Sequence, residues 1–494
     1  MKNNQFLFFI MLLVPLCSIS PQIQAKYAEA FPCEGRATYS LSEQALILPF
    51  VDKTRDEVMQ MRLQLTKADP FVFTVDNSAT TVATPNPWPD IESCHAKVVY
   101  DITGQVQLLV PFVDIPEANV IYQALLTQSS DDTFTLVHLK EVRLNRLEPL
   151  TGAYFGANID WTNASVQGTN DSFGLNLNAF VRFETFPISD EDGQWLDQSI
   201  EQIKNTGTGA MMILTLEPHA GLSVVTAEEA EKLAQRLKGY NDMGVPVLVR
   251  FAHEMNGSWY SWSQQPLEYI RAFRAIAEAI HRVTTNSAML WAPNNGGGYP
   301  FTGGVYEAKP TASDFHLLDT NGNGVLDKAD DSYAPYYPGD DAVDWVGMSL
   351  YHWGSAYPWG ENEIPEHGKF IAQLTGRYVG YSGDESIVPD FYGIYAEGKN
   401  KPLAIPETAA LFVPDGQGAD EEQLIKQLWW RQVFDPTYRE LYPKIKLISW
   451  FDWSKTESEI GNRLVNWRIG HDGYLTYMFT EDLFRSGVGI FIRK

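Results

Sequence analysis

The sequence predicts an α/β chain: an eight-stranded β/α barrel preceded by a small all-β, sandwich-like domain. Three observations predict it. Eight short apolar runs follow residue 154, and amphipathic helical stretches separate several of them. Before residue 148 the pattern is the period-two alternation of antiparallel strands, and it occurs twice. No Gly-rich phosphate turn follows the first apolar run, which argues against an open doubly wound sheet.

The first region spans 26–148. Cys33 is followed by Tyr39 and Leu46–Asp52, and Cys94 by Tyr100 and Leu108–Asp114, with the same Cys-to-Tyr spacing of six. Each copy continues into two alternating runs, Met59–Thr66 with Phe71–Val75, and Val120–Thr127 with Phe134–Leu139. Two copies suggest a pseudo-twofold sandwich, with Cys33 and Cys94 at equivalent points. No cluster of acids, His or Cys in it looks catalytic. A packing or spacer role is expected ahead of carbohydrate binding, because Trp88 is its only Trp.

The barrel region spans 149–494. Its runs are Tyr154–Trp161, Ala179–Phe186, Met211–Leu216, Pro246–Phe251, Ala288–Ala292, Trp345–Leu350, Pro402–Ile405 and Ile445–Phe451. Helices are expected over Gln194–Lys204, Ala227–Tyr240, Leu267–His281 and Asp420–Val433, the last with apolar Leu424, Leu428 and Phe434 and with acids at its start, which suits the helix dipole. The stretch after Gly470 gives no clear signal.

Composition narrows the partners. The 494 residues are 44% hydrophobic and 20% charged, as in ordinary globular proteins. A net charge of −25 repels nucleic acid and anionic membrane surfaces, leaving neutral or cationic partners. The 14 Trp, most of them after residue 150, suit flat sugar faces as well as core packing. Residues 1–25 read as a signal peptide: Lys2, then the apolar stretch Phe6–Leu16, then Pro21 and a cleavage point near Ala25. Secretion to a periplasmic or extracellular space is therefore expected, with no membrane span. Cys33 and Cys94 would pair in that oxidising space. Oligomeric state is not legible. Two Asn-x-Ser sequons, at Asn163 and Asn256, read as incidental.

Catalytic groups in such a barrel sit where strands end, on the C-terminal face. The fourth run ends Arg250-Phe-Ala-His253-Glu254-Met-Asn-Gly-Ser-Trp259, and the seventh ends Ile405-Pro-Glu407-Thr408. Two carboxylates from opposite parts of one mouth meet the needs of glycosidic cleavage: one donates a proton to the leaving oxygen, the other attacks the anomeric carbon or activates water.

Arg250–Trp262 closely resembles the acid/base signature of glycoside hydrolase family 26, and residues 150 to about 470 look like its barrel. The resemblance implies a retaining mechanism, with Glu254 as acid/base, Glu407 as nucleophile and His253 where most of the wider clan has Asn. It also implies that Tyr351, in Ser349-Leu-Tyr-His-Trp353, contacts the nucleophile, and that a Trp after the eighth strand floors the subsite beside the cleaved bond. Trp450 is favoured over Trp453 for that floor. Trp259 or Trp262 would give Glu254 apolar cover. Trp291, Asn294, Glu217 and His219 end the fifth and third strands and are candidates for sugar contact. The substrate implied is a β-linked polysaccharide, first β-1,4-mannan, cut internally. The alternatives are a mixed-linkage β-glucan or an exopolysaccharide, and, from another class, a non-catalytic glycan-binding protein. The glutamates stand 153 residues apart, long for the family, so two insertions are expected to border the cleft.

One insertion carries a separate signal. Asp319, Asn321, Asn323, Asp327 and Asp330 occupy the first, third, fifth, ninth and twelfth places of a loop with Gly324 at the sixth and Leu326 at the eighth. Val325 would offer its carbonyl at the seventh. This is the spacing of an EF-hand-type calcium loop, and a structural Ca²⁺ is expected there. No cofactor is expected for catalysis.

Overall fold

A computed structural model describes residues 37–493, leaving aside 53–56, 69, 77–80, 86–96, 101–104, 117–119, 131–132, 143, 150–151, 356–358, 360, 381–382, 419–420 and 488–491. The expected leader and the Cys33–Cys94 pairing lie outside the described residues. The chain forms two compact units. One runs to Leu144 and takes in Pro149–Thr151, and the other comprises Asn145–Glu148 and Gly152–Lys494.

The first unit is all β: β1 (Ala37–Ser40), β2 (Ala45–Asp52), β3 (Glu57–Ala68), β4 (Phe71–Val75), β5 (Thr81–Pro85), β6 (Lys97–Tyr100), β7 (Val106–Ile115), β8 (Val120–Ser130) and β9 (Thr133–Val142). The repeat is visible in the pairing, since β1-β2-β3-β4 and β6-β7-β8-β9 are each an antiparallel meander and β4 joins β9. β1 pairs antiparallel with β2 and also parallel with β7, Ala37 opposite Val113, so one sheet curls until its walls face each other. Alternation sends Leu46, Leu48, Leu63, Phe71, Phe73, Val110 and Leu126 inward, each fully buried.

The second unit is a closed parallel barrel, as the apolar runs predict. Its strands in order are β10 (Tyr154–Ile159), β11 (Ala179–Thr185), β12 (Met211–Glu217), β13 (Val247–Phe251), β14 (Ser287–Trp291), β15 (Trp345–Gly347), β16 (Leu403–Thr408) and β17 (Ile445–Asp452), and β17 closes on β10. Side-chain parity divides each strand. Val181, Ile213, Leu248, Leu290, Ala404 and Leu447 form the barrel interior, while Val249, Met289, Ile448 and Trp450 join the larger core shared with the helices.

The helices supply that outer layer: α1 (Val166–Phe173), α2 (Asp190–Asn205), α3 (Ala227–Asp242), α4 (Pro266–Val283), α5 (Glu422–Val433) and α6 (Gly473–Ser486). α2 begins at Ser189, whose hydroxyl accepts from the Asp192 N–H, and three acids fill its first turn, where the helix dipole favours negative charge. α5 buries Ile425, Lys426, Trp429, Trp430 and Val433, with Phe434 buried just after it; of the apolar residues the sequence singled out, Leu428 is half-buried and Leu424 exposed. The two adjacent Trp rings carry more apolar area than the Leu pair and set the facing. α6 lies in the stretch that gave no sequence signal. Asp472 caps it and Phe479 packs on Phe155 of β10.

Candidate active site

Parity also dictates what stands at the mouth. In β13, Leu248 faces inward, so Arg250 does too, and it is fully buried. The backbone then takes left-handed values at Ala252 (φ 46°) and Glu254 (φ 54°). Such values are costly for side chains with a Cβ, of order 1–3 kcal/mol each, and survive where neighbours fix them. Here the Ala252 N–H donates to the Leu216 carbonyl and the Glu254 N–H to the Ala292 carbonyl, both 2.9 Å, which ties the turn to β12 and to the end of β14. Gly257 follows, where an added Cβ would fall 2.5 Å from the Trp259 ring, so the close approach of that indole requires glycine.

Glu407 lies at the end of β16 beyond a register irregularity after Ile405. It is almost wholly buried and accepts on both oxygens. Arg250 Nη1 donates to Oε1, and the Tyr351 hydroxyl donates to Oε2 at 2.7 Å. Arg250 Nη2 donates to the Ser349 hydroxyl at 2.7 Å. Arg250 and Ser349 also act on Glu254, both favouring its ionised form. The two glutamates differ in setting. Burial raises the Glu254 carboxyl from its ordinary 4.5 to about 7, helped by the negative Glu407 and opposed by Arg250, Ser349 and Trp259. The Trp259 indole N–H reaches Glu254 Oε2 at 3.3 Å, and Trp259 remains partly exposed.

His253 is buried and packs edge-on to Phe183, with Tyr260 at 5.1 Å. Burial first, then Arg250 and His219, hold its pKa well below the usual range, so it is neutral at pH 7. Glu217 ends β12 on its inward parity, with His219 Nε2 3.4 Å from its Oε2. Burial raises its pKa, His219 opposes this, and the charges of Glu407 and Arg250 act on it as well.

The sequence comparisons agree with this geometry. The model described as glycosyl hydrolase family 26 matches residues 206–313, a stretch that contains β12, the whole Arg250–Trp262 turn and β14. That stretch is similar to glycosyl hydrolase family 26. Endoglucanase H of Acetivibrio thermocellus is 27% identical over 290 residues, 56% of this chain and 24% of that protein. Beta-1,3-xylanase TXYA of a Vibrio species is 22% identical over 200 residues, 40% of this chain and 37% of that protein. The chain therefore spans well under half the length of either relative. Among solved structures, a family 26 endo-β-1,4-mannanase domain from Bacillus sp. JAMB-750 is 16% identical, with TM-score 0.41 over 69% of this chain and 87% of its own.

Within the barrel the structure brings Glu254, Glu407, His253, Trp259, Tyr351, Glu217 and His219 to one mouth. Three tryptophans expected there are elsewhere. Trp450 has the outward parity of β17, is fully buried against Phe479, and gives its N–H to the Trp467 carbonyl. The residues of β17 on the inward parity are Leu447, Ser449 and Phe451, and Phe451 stacks with Trp453 beside Tyr351. Trp291 likewise points outward from β14 and is sealed among Tyr337, Phe391 and Tyr395. Trp262 is fully buried under Tyr260 and donates to the His253 carbonyl at 2.8 Å, so it supports the signature turn from behind. Asn294 is half-buried at the rim. Its backbone exchanges two 2.8 Å hydrogen bonds with the Asn256 side chain, which makes Asn256 a structural partner of the turn.

Arg250, Ser349 and Tyr260 had no role assigned from the sequence. Arg250 was detectable as a lone charge at inward parity in an apolar strand. Ser349 and Tyr260 have no such signal, because their importance comes from the strands they face.

The calcium loop folds as a run of side-chain-capped turns. Asp319 accepts from the Asn323 and Gly324 N–H groups, Asn323 from Val325, and Asp327 from Ala329. Gly322 sits at φ 72°, a conformation that favours glycine. Asp330 is buried, with both oxygens accepting backbone N–H bonds from Asn321 and Asp327. Among the described residues no group of three or more His, Cys, Asp or Glu gathers as a metal cage. The Asp319, Asn321, Asn323 and Asp327 side chains and the Val325 carbonyl nevertheless provide an all-oxygen donor set on one exposed turn, which suits a hard cation.

Proposed function

We propose that this chain is a secreted, retaining, endo-acting hydrolase of β-linked polysaccharide, with β-1,4-mannan as its first substrate. The reading rests on one observation: two glutamates in one mouth, one pushed up to about 7 and the other accepting from both Arg250 and Tyr351. At neutral pH Glu254 holds the proton that the leaving oxygen needs. Glu407, aimed by its two donors, attacks the anomeric carbon as the glycosidic bond breaks, and the electron pair of that bond leaves on the oxygen that takes the Glu254 proton. Glu254, now ionised, then removes a proton from water, which displaces Glu407 and restores both groups.

A second reading keeps the chemistry and changes the glycan to a β-glucan, here tested in its mixed-linkage form; the name of the Acetivibrio relative, Endoglucanase H, supports a glucan. Incubation with galactomannan, lichenan and xylan, alongside Glu254→Ala and Glu407→Ala, separates these readings. Sugar release from galactomannan by the wild type alone supports the first, and release from lichenan alone supports the second. Equal release by all three proteins, or none from any glycan, favours a glycan-binding protein without catalysis.

The loop 319–330 is further proposed to hold a structural Ca²⁺ outside the reaction. Addition of Ca²⁺ to chelated protein should raise its melting temperature, and Asp319→Ala should remove that response. A melting curve indifferent to Ca²⁺ would reject the ion.

A further inference from the structure

The Trp259 indole N–H reaches Glu254 Oε2 at 3.3 Å, yet Trp259 itself is partly exposed. A ring at the surface keeps one orientation only where neighbours pack on it. Those neighbours come from the segment after β14. Gly296–Tyr306 holds five glycines, a composition that favours mobility. It is nevertheless tied to the signature turn at several points. Phe301 meets the Trp259 ring edge to face, with centroids 5.0 Å apart at 75°. The Phe301 carbonyl accepts from the buried Ser258 hydroxyl, and the Tyr306 N–H donates to the Ser258 carbonyl at 2.9 Å. The buried Gln264 side chain donates to the Pro300 carbonyl at 2.8 Å and accepts from the Ala308 N–H at 2.7 Å. The Gln264 backbone N–H donates to the Met255 carbonyl at 2.8 Å.

Gln264 (φ 51°) and Phe301 (φ 56°) both take left-handed values, which a side chain with a Cβ keeps only where its surroundings fix it. Two glycines let the surfaces close. A Cβ on Gly298 would fall 2.6 Å from the Phe301 ring, and one on Gly304 would meet Ser258. The Phe301 ring is thus pressed on the backbone at Gly298 as well as on Trp259. We infer that Phe301 is a positioning residue: through Trp259 it holds the Glu254 carboxyl where it protonates the leaving oxygen, and the segment 296–308 is built to keep it there. This rests on the hydrolase reading above and deepens it. The effect is confined to proton delivery, and a leaving group that needs no proton is indifferent to the aim of Glu254 as the glycosidic bond breaks.

The test is Phe301→Ala, read as a ratio of two substrates. On the glycan that the wild type cuts, kcat/KM should fall about 10-fold. On the dinitrophenyl β-glycoside of the same sugar, whose leaving group needs no proton, it should change by less than about twofold. The alkaline limb of the glycan profile should move up by about half a pH unit, because the Trp259 N–H favours the ionised carboxyl and the variant loosens it. Glu407 and Arg250, whose charges also act on Glu254, lie in barrel strands and are the same in the variant. Gly298→Ala, which displaces the ring without shortening it, should give the same signature, and it decides the matter if Phe301→Ala does not fold. Equal losses on both substrates, wild-type activity on the glycan, or an unmoved alkaline limb would overturn this inference while the hydrolase reading stands. If the wild type cuts no glycan at all, both fail.

Discussion

The two units of this chain both curl a β-sheet around an interior, and they fill it in opposite ways. Among the described residues, the first unit buries only apolar or aromatic side chains on its inner face. The barrel instead carries Arg250, Ser349, Glu407 and Ser449 buried near the C-terminal ends of its strands, above a layer of Leu, Ile and Ala. An apolar lining is the cheaper solution, since a buried charge costs several kcal/mol unless it is paired. The barrel pairs what it buries, Arg250 with Glu407. The barrel bears this cost in one layer, at the end where its loops open, and that is the layer in which the chemistry is proposed to occur.

The sharpest way to break this contrast is to remove the buried charge that the barrel keeps. Glu407→Gln should lower kcat by at least about 10⁴-fold, measured on the preferred glycan. Arg250→Met strands Glu407 without its partner and should cost about 3–5 kcal/mol of stability in denaturant melts. Wild-type stability in that variant would mean the ion pair is incidental.

Next in size is Glu254→Gln, expected to lower kcat about 10²- to 10⁴-fold for a substrate with a poor leaving group, and less for an aryl glycoside that needs no proton. Its pH dependence has a definite sign. The folded carboxyl titrates near 7 and the unfolded one near 4.5, so the folded state favours the protonated form. That contribution is complete below the unfolded pKa and disappears as pH rises through about 7. Wild-type kcat/KM should therefore decline above about pH 7. The Glu254→Gln variant should gain melting temperature over wild type at pH 8 and not at pH 4. Tyr351→Phe removes a hydrogen bond to a charged group and should cost about 10- to 100-fold in kcat.

The smallest effect on activity is expected from the other unit. Leu63→Ala empties a fully buried site on its inner face and should destabilise that unit by about 2–5 kcal/mol, while the barrel's kcat stays at the wild-type value. A matching loss of kcat would show that the two interiors are not independent.

The sequence exposed the barrel well because its strands are continuous apolar runs, and a parallel strand covered on both faces must be apolar throughout. The same continuity hid the facing of each residue. In Ile445–Asp452 nothing in the alternation distinguishes Trp450 from Phe451, so the choice of a cleft tryptophan failed there and again at Trp291. Glu254 and Glu407 were legible because charge at a strand end has few structural explanations. Ser349 was not, since its meaning depends on Arg250 reaching it across the barrel, a relation 99 residues long in the chain. The position of α6 was hidden because its buried face carries Thr476 and Thr480 among the apolar residues, which blurs the helical period.

A retaining mechanism requires a covalent step at one side chain. Incubating the protein with activated 2-deoxy-2-fluoro β-glycosides of the manno and gluco series, followed by peptide mass spectrometry, should find one sugar bound to Glu407 and none after Glu407→Gln. A sugar carried on any other residue, or product of inverted anomeric configuration from the natural glycan, would contradict it.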